Sequence, residues 1–428
     1  MKGKTIISIG TGNNFSCAMD DAGEIYCWGA NTSGQCGNGM REVLFDKGNA
    51  AKVVKKSALN GKKAVLIGAG LKNTVVADME GKVYEWGNFK LIPFAFDSEG
   101  ILKDKVLSSI SSGDYHTCAI DMANTVYCWG NNSSGQLGNN STVESYTPVA
   151  VDLTGVLKDK TIKSISVGGA HTCVIDSDGL IYCWGNNKYG QLGNGETADS
   201  SVPVEVDMTG VLKGKVIKSI KSGRVHTCVL DSDGFVYCWG NNSKEQLGDN
   251  TAMDSAVPVK VYTSIALKGK KIVLLSAGGN HTCAVDDKSL VYCWGENSLG
   301  QLGIGYETAH YAPAPVDMSG VLKGKKITAI ANGDNTTCVL DENGAAYCWG
   351  SVLGNELDKS SVPENVNMDE ALKGKKLVSI SVGSDHVCSI DDAGEVYCWG
   401  GSMYGQTGAA IISYAKKPVK VFYSVTGK

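Results

Sequence analysis

Residues 171–193 read HTCVIDSDGLIYCWGNNKYGQLG. Cys173 and Cys183 flank an Asp-Ser-Asp-Gly turn, and nearly the same string returns along the chain. Trp-Gly recurs at Trp28, Trp86, Trp129, Trp184, Trp239, Trp294, Trp349 and Trp399, which are all the tryptophans of the 428 residues. The gaps between them are 58, 43, 55, 55, 55, 55 and 50. A second marker is the proline of a Pro-Val-x-Val-like run, at Pro93, Pro148, Pro203, Pro258, Pro313, Pro363 and Pro418, with NAAKVV filling the first slot without proline. There are eight units of one kind.

Each unit carries four short runs with strand character. PVEV (203–206) and KVIKSI (215–220) alternate, HTCVI and LIYCW are β-branched and aromatic, and turn residues bound each run. No helical period is sustained. Four strands at a period near 50 mark a β-propeller blade. The expectation is therefore one all-β domain over residues 1–428, a propeller of eight four-stranded blades, with seven as the alternative. Met1-Lys2-Gly3-Lys4 matches Leu372-Lys373-Gly374-Lys375, so the chain enters inside a unit. Closure is expected from the last strand, PVKVF (418–422), pairing with the N-terminal unit and leaving no open edge. Met1 stands where a repeat carries leucine, and the sequence reads as a piece whose preceding region was trimmed.

The midpoint of 173 and 183 is Asp178, which centres a three-residue loop, Ser177-Asp178-Gly179. Such loops pair a type I turn with a left-handed residue. That last slot holds Gly23, Gly81, Asn124, Gly179, Gly234, Ser289, Gly344 and Gly394. Counting outward sets Cys173 opposite Cys183, as a non-hydrogen-bonded pair about 4.5 Å apart at Cα. The same spacing sets Cys17 opposite Cys27, Cys118 opposite Cys128, Cys228 opposite Cys238, Cys283 opposite Cys293, Cys338 opposite Cys348 and Cys388 opposite Cys398. In the second unit Val75 and Glu85 replace both cysteines together, as a disulfide predicts. Seven hairpin disulfides are expected; seven pairs of buried thiols are the competing reading. Zinc would need ligands at closer spacing. Each bridge would contribute at most about 2.7 kcal/mol by loop closure. Cys36 takes the leucine position of GQLG and is expected as a small apolar core residue with a free thiol. Seven disulfides imply an oxidising compartment: extracellular, cell-surface or periplasmic. No run of 18 apolar residues predicts membrane insertion of this sequence.

The string G-x-x-H-T-C-x-x-[DN], followed by V-Y-x-W-G-x-N-x-x-G-Q-L-G, resembles the repeat of the regulator of chromosome condensation family over essentially the whole chain. The resemblance implies a β-propeller, usually of seven blades; eight units and paired cysteines depart from that pattern. Members of the family include a nucleotide-exchange factor, an ultraviolet-light receptor and a secreted inhibitor of β-lactamase, so the fold does not choose the function.

Chemistry is sparse. His116, His171, His226, His281 and His386 share one slot, which holds Phe15, Asn73 and Thr336 elsewhere. Neighbouring blades would separate them by roughly 10 Å, too far for a shared metal, so they are expected to bond loop backbone. The Asp-x-Asp-Gly turns lack the glutamate of a calcium loop. No triad, phosphate loop or cofactor motif is present. No enzyme activity, metal or cofactor is expected, and the net charge of −4 offers little to nucleic acid.

Lysines at 2/4, 62/63, 103/105, 158/160, 213/215, 268/270, 323/325 and 373/375 are expected on the same face as the Asp-rich turns. The opposite face carries loops that vary between units. Asp114, Tyr115, Tyr189, Arg224, Asn280, Leu299, Asp334, Asp385 and Tyr404 are the candidate partner-binding residues there, because recognition sits on loops of a rigid scaffold. The resemblance places the partner-binding face of the β-lactamase inhibitor on the same two loop sets. The reading is an exported, monomeric scaffold that binds a protein. The alternatives are an inhibitor of a secreted or periplasmic enzyme and, further off, a guanine-nucleotide exchange factor.

Overall fold

The computed structural model describes residues 4–38, 51–52, 63–71, 73–80, 82–87, 90–95, 100–103, 105–351, 359–366, 372–402, 406–407 and 414–421. Eight four-stranded antiparallel sheets form an eight-bladed β-propeller, with no helix among the described residues. The fourth blade is representative. Its strands A to D are Ile162–Val167, His171–Asp176, Ile181–Gly185 and Ser200–Glu205, paired in chain order. Strand B is buried along its whole length, and the A strands of blades three to six lie against one another in succession.

The hairpin falls as its spacing requires, and the pairs are bridged rather than left as thiols. Cys17 is bonded to Cys27, Cys118 to Cys128, Cys173 to Cys183 and Cys228 to Cys238. Cys283 is bonded to Cys293, Cys338 to Cys348 and Cys388 to Cys398. Cα atoms across these bridges are 4.1 to 4.2 Å apart, a little closer than the expected 4.5 Å. Each bridge joins strand B to strand C, whose other edge takes strand D: Cys293 faces Ala314 there, and Cys348 faces Glu364. Gly179 (φ 80°), Asn124 (φ 65°) and Ser289 (φ 66°) hold the left-handed turn position. Val75 faces Glu85 in the second blade, where Asn73 donates to the Glu85 carboxylate at 2.9 Å. Cys36 is buried and unpaired, and burial pushes its thiol pKa up.

The expected closure is overturned. Tyr414–Lys420 pairs with Val396–Gly401, through Cys398↔Val419, and so completes the last blade. The first blade completes itself with Ala51–Lys52, paired to Cys27 and Tyr26. Phe422 lies outside the described residues. The blade frame runs from the lysine-led strand to the proline strand, not the reverse. Proline lacks the N–H that a second neighbour would need, so it belongs on a strand with one free edge. Pro148, Pro203, Pro258, Pro313 and Pro363 all lie on D strands, the last in each sheet order.

The chain groups into two compact units. One comprises Met1–Val106, Ile327–Ser360 and Glu364–Lys428; the other comprises Leu107–Lys326 with Ser361–Pro363. Within each, the core lies between blades. Trp184 packs with Cys118, Cys128 and Leu137 of the preceding blade, Trp239 with Cys173, Cys183 and Leu192, and Trp294 with Cys228, Cys238 and Leu247. In the other unit Trp86 packs with Cys17, Cys27 and Cys36, Trp399 with Cys338 and Cys348, and Trp28 with Cys388 and Cys398. The disulfide thus belongs to the surface on which the next blade's indole sits. The closing glycine of GQLG cannot carry a side chain: at Gly193 (φ 70°) a Cβ would meet Trp239 Nε1 at 2.7 Å.

Candidate functional site

The repeated polar residues hold blades together and leave little for chemistry. His116, His171 and His226 place Nε2 at 2.6, 2.9 and 3.0 Å from the hydroxyls of Thr172, Thr227 and Thr282 on the next blade. Each threonine donates its hydroxyl to a main-chain carbonyl of the preceding blade, at Gln136, Gln191 and Gln246. The hydroxyl oxygen therefore accepts from histidine, which fixes the Nε2–H tautomer. Trp184, Trp239 and Trp294 donate to the same three carbonyls at 2.9 Å. In the other unit His386 meets Ser16 at 2.7 Å. The histidines bond a neighbour's side chain, not loop backbone as expected. Burial holds His171 down at about 4 and His226 at about 3; His116 falls to about 3 through burial and the charge of His171. These imidazoles are neutral at pH 7.

The Asp-rich turns are equally structural. Asp176 is buried. One of its oxygens accepts from the amides of Asp178 and Leu180, and the other from the Tyr182 hydroxyl. Lys160 reaches the same carboxylate at 3.5 Å. Lys4–Asp20, Lys215–Asp231, Lys270–Asp286 and Lys375–Asp391 repeat the pair at 3.1 to 3.5 Å. The lysine loops and the aspartate turns therefore share a face and neutralise each other.

The opposite face is built differently. After Trp129-Gly, Trp184-Gly and Trp239-Gly, the motif N-N-x-x-[GE]-Q-L-G folds on its own amides. Asn187 is buried, accepts from the Leu192 N–H and donates to the Glu196 carbonyl. Gln191 accepts from the Tyr189 N–H and donates to Asn186. Asn242 and Gln246 repeat this in the fifth blade. Asparagine and glutamine thus make a rigid loop, and the residues between them ride on its tip: Lys188 and Tyr189, Lys244 and Glu245, Ser298 and Leu299. Lys188 Nζ lies 5.4 Å from the Tyr189 ring centroid.

Within Leu107–Lys326 the structure brings several candidates together. Arg224 Nε reaches Asp114 Oδ2 at 3.2 Å, two blades away in sequence. It crosses Gly169, whose N–H donates to the Arg224 carbonyl and where a Cβ would lie 3.3 Å from the Arg224 side chain. Both partners are partly exposed, and such a pair contributes about 0 to 1 kcal/mol. Tyr115, beside Asp114, is 58% exposed. Asn280 donates to Glu296, which also takes Lys244 at 3.4 Å. Glu296 was missed in the sequence reading; the signal was its replacement of the asparagine that three other units carry, at 131, 186 and 241. Tyr189 and Leu299 stand half-buried on separate loop tips.

In the other unit, Asp334 accepts from the Ser384 hydroxyl at 2.8 Å. Asp385 is engaged by Gln406 at 3.2 Å and by His386 at 3.4 Å. Asp385 is a tether for its own blade. Tyr404 lies outside the described residues.

Two models described as "Regulator of chromosome condensation (RCC1) repeat" match the chain. One covers residues 124–175, 178–230, 233–285 and 289–340; the other covers 6–35, 107–136, 162–191, 217–246, 272–301 and 377–406. The chain is 29% identical over 365 residues to the ultraviolet-B receptor UVR8 of Arabidopsis thaliana, covering 83% of this chain and 79% of that one. It is 28% identical over 341 residues to the E3 ubiquitin-protein ligase HERC2 of Mus musculus, 77% of this chain but 7% of that protein. Among solved structures, human WBSCR16 matches with a TM-score of 0.63 at 23% identity, over 77% of this chain and 85% of that one. Prp20p of Saccharomyces cerevisiae matches with a TM-score of 0.61 at 22% identity, over 77% and 80%.

Proposed function

The chain belongs to the regulator of chromosome condensation (RCC1) repeat family, and from that premise we propose that it is a non-enzymatic scaffold that binds a protein partner through the variable loops of the Trp-Gly face. A receptor and a ligase component share the repeat, so the choice rests on this chain's own loops. The observation that carries the reading is the division of labour within N-N-x-x-G-Q-L-G. The asparagines and glutamines of blades three to five spend most of their hydrogen bonds inside the loop, while the positions between them change from unit to unit. A specific partner needs that asymmetry, which the lysine–aspartate face lacks. Exposed Tyr115 and Arg224, with half-buried Tyr189, supply the side-chain types that dominate protein interfaces. Seven disulfides support residence in an oxidising compartment, which also argues against exchange on a cytosolic GTPase. Our reading takes the propeller as one domain that binds its partner as a monomer.

The test is affinity capture of a partner from the oxidising compartment, followed by calorimetry with variants. Tyr115→Ala and Arg224→Ala are expected to weaken binding by about 1 kcal/mol or more each. Lys215→Ala and Asp178→Ala are expected to change it by less than about 0.5 kcal/mol. The reverse ranking would move the site to the lysine face.

A further inference from the structure

Nine asparagines in the chain precede a serine or threonine by two residues with no proline between them, the pattern of an N-glycosylation acceptor. Folding leaves eight of them unfit. Asn31, Asn132 and Asn241 are buried and spend their amides inside their own loops. Asn14, Asn280 and Asn335 lead into strand B, where the hydroxyls they need, on Ser16, Thr282 and Thr337, are buried. Asn131 accepts from Ser133, its own partner hydroxyl, and from Gln136; Asn139 accepts from Asn132.

Asn140 differs on every count. It is exposed, as is Thr142 two residues on. Neither side chain is tied up by a hydrogen bond among the described residues. The main chain, by contrast, is held: the Asn140 N–H donates to the Ser201 carbonyl of the next blade at 2.8 Å. The amide therefore projects from a fixed point of a surface loop.

The repeat shows which part of this arrangement the fold requires. Asn140 takes φ 58°, and the same slot holds Gly195 (φ 86°), Asn250 (φ 69°) and Gly305 (φ 90°). A left-handed backbone accounts for asparagine or glycine there. It does not govern the residue two further on, which is Thr142, Thr197, Ala252 or Glu307. Of these four blades, only the third combines the asparagine with the hydroxyl.

We propose that Asn140 is an N-glycosylation site, the one acceptor sequence of this chain that carries an oligosaccharide in the folded protein. The inference rests on the reading of an oxidising, exported location given above, since such acceptors work in surface loops of secreted chains. The donor is an oligosaccharide held as a lipid-linked glycosyl diphosphate. Asn140 Nδ2 bonds to the anomeric carbon. The carbon–oxygen bond to the diphosphate breaks and its electron pair leaves with the diphosphate; the amide gives one proton to a carboxylate of the transferase. The sugar adds a bulky, solubilising group to a loop that also exposes Val143, at 72%, and Tyr146, at 50%. Those apolar side chains stand at the start of the third blade's D strand, whose outer edge is unpaired and open to strand addition by another chain.

The test secretes the full chain from cultured eukaryotic cells. Glycans are then released enzymatically in heavy-oxygen water, which marks each occupied asparagine as labelled aspartate for peptide mass spectrometry. Asn140 is expected to be occupied at least about tenfold more than any of the other eight, whose presentation needs local opening. Thr142→Ala leaves Asn140 and its left-handed turn in place and is expected to abolish the glycan; Thr142→Ser is expected to keep part of it. The proposal is overturned if Asn140 is bare in chains that carry all seven disulfides, if another acceptor sequence is occupied as often, or if Thr142→Ala retains the sugar. Chains secreted with their cysteines reduced would refute the location reading and the acceptor with it. Thiol alkylation before digestion separates that outcome from a bare Asn140 in an oxidised chain.

Discussion

Blades three to six and blades one, two, seven and eight are built from the same repeat but held together to different degrees. In the first group, three successive indoles donate to a neighbour's glutamine carbonyl, and histidine bonds the next blade's threonine. In the second group the Trp28, Trp86 and Trp399 indole N–H groups have no protein acceptor. The histidine slot there holds Phe15, Asn73, Thr336 and His386, and the second blade has no disulfide. A repeat fold tolerates this because each blade contacts its neighbours alone, so local losses stay local. The better-bonded group also carries a liability: its staple is a neutral imidazole.

Acid should expose that liability, and this is the largest expected effect. His116, His226 and His281 are held near 3 and His171 near 4 in the folded chain, against 6.5 when unfolded. Between those values the unfolded chain binds protons that the folded chain refuses. The stability is fully present above pH 6.5 and is lost as pH falls toward 4, at about 1.4 kcal/mol per pH unit for each histidine. Hydrogen exchange, corrected for intrinsic rate, should show protection at pH 5 failing first in the B strands of residues 107–326. Simultaneous loss in both groups would remove the distinction. His226→Asn, which installs the residue found at 73, should flatten the pH dependence of denaturant unfolding by one proton.

Disulfides come next. Replacing Cys228 and Cys238 together by valine should cost up to about 2.7 kcal/mol through loop closure. The reciprocal change, Val75→Cys with Glu85→Cys, should form an eighth bridge, because those residues already face each other. Its gain should be smaller, since the Asn73–Glu85 hydrogen bond is lost. Urea midpoints with non-reducing mass spectrometry check both. An equal gain would mean that the second blade's polar pair contributes nothing.

The smallest effect, at Gly214, is the reference that separates local strain from inter-blade packing. Gly193 and Gly214 have nearly the same φ, 70° and 72°, but only Gly193 faces an indole; nothing lies within 4 Å of a Cβ at Gly214. Gly214→Ala should cost about 1 kcal/mol from backbone conformation alone. Gly193→Ala should add about 1 to 3 kcal/mol of overpacking against Trp239. Equal melting shifts for the two would contradict the core placed between blades.

The sequence by itself determined what depends on short-range order. The eight units, the four strands in each and the position of every disulfide, from Cys17 with Cys27 to Cys388 with Cys398, follow from period-2 alternation and a three-residue turn. Both are complete within one hairpin of chain. Cys36 and the left-handed role of Asn124 and Ser289 follow in the same way. The variable face was legible because the repeat supplies its own baseline. Only the tertiary structure decided what joins one blade to another. The frame of the blade, and with it the fate of the last strand, depends on which edge of strand C the proline strand takes; alternation is silent on that, although proline's missing N–H pointed to an outer edge. The histidines' true acceptors lie 56 residues away, and Asp114 and Arg224 meet across 110. Hydrogen bonds and packing between chain-distant residues carry no periodic signature, because their geometry exists only once the blades have come together.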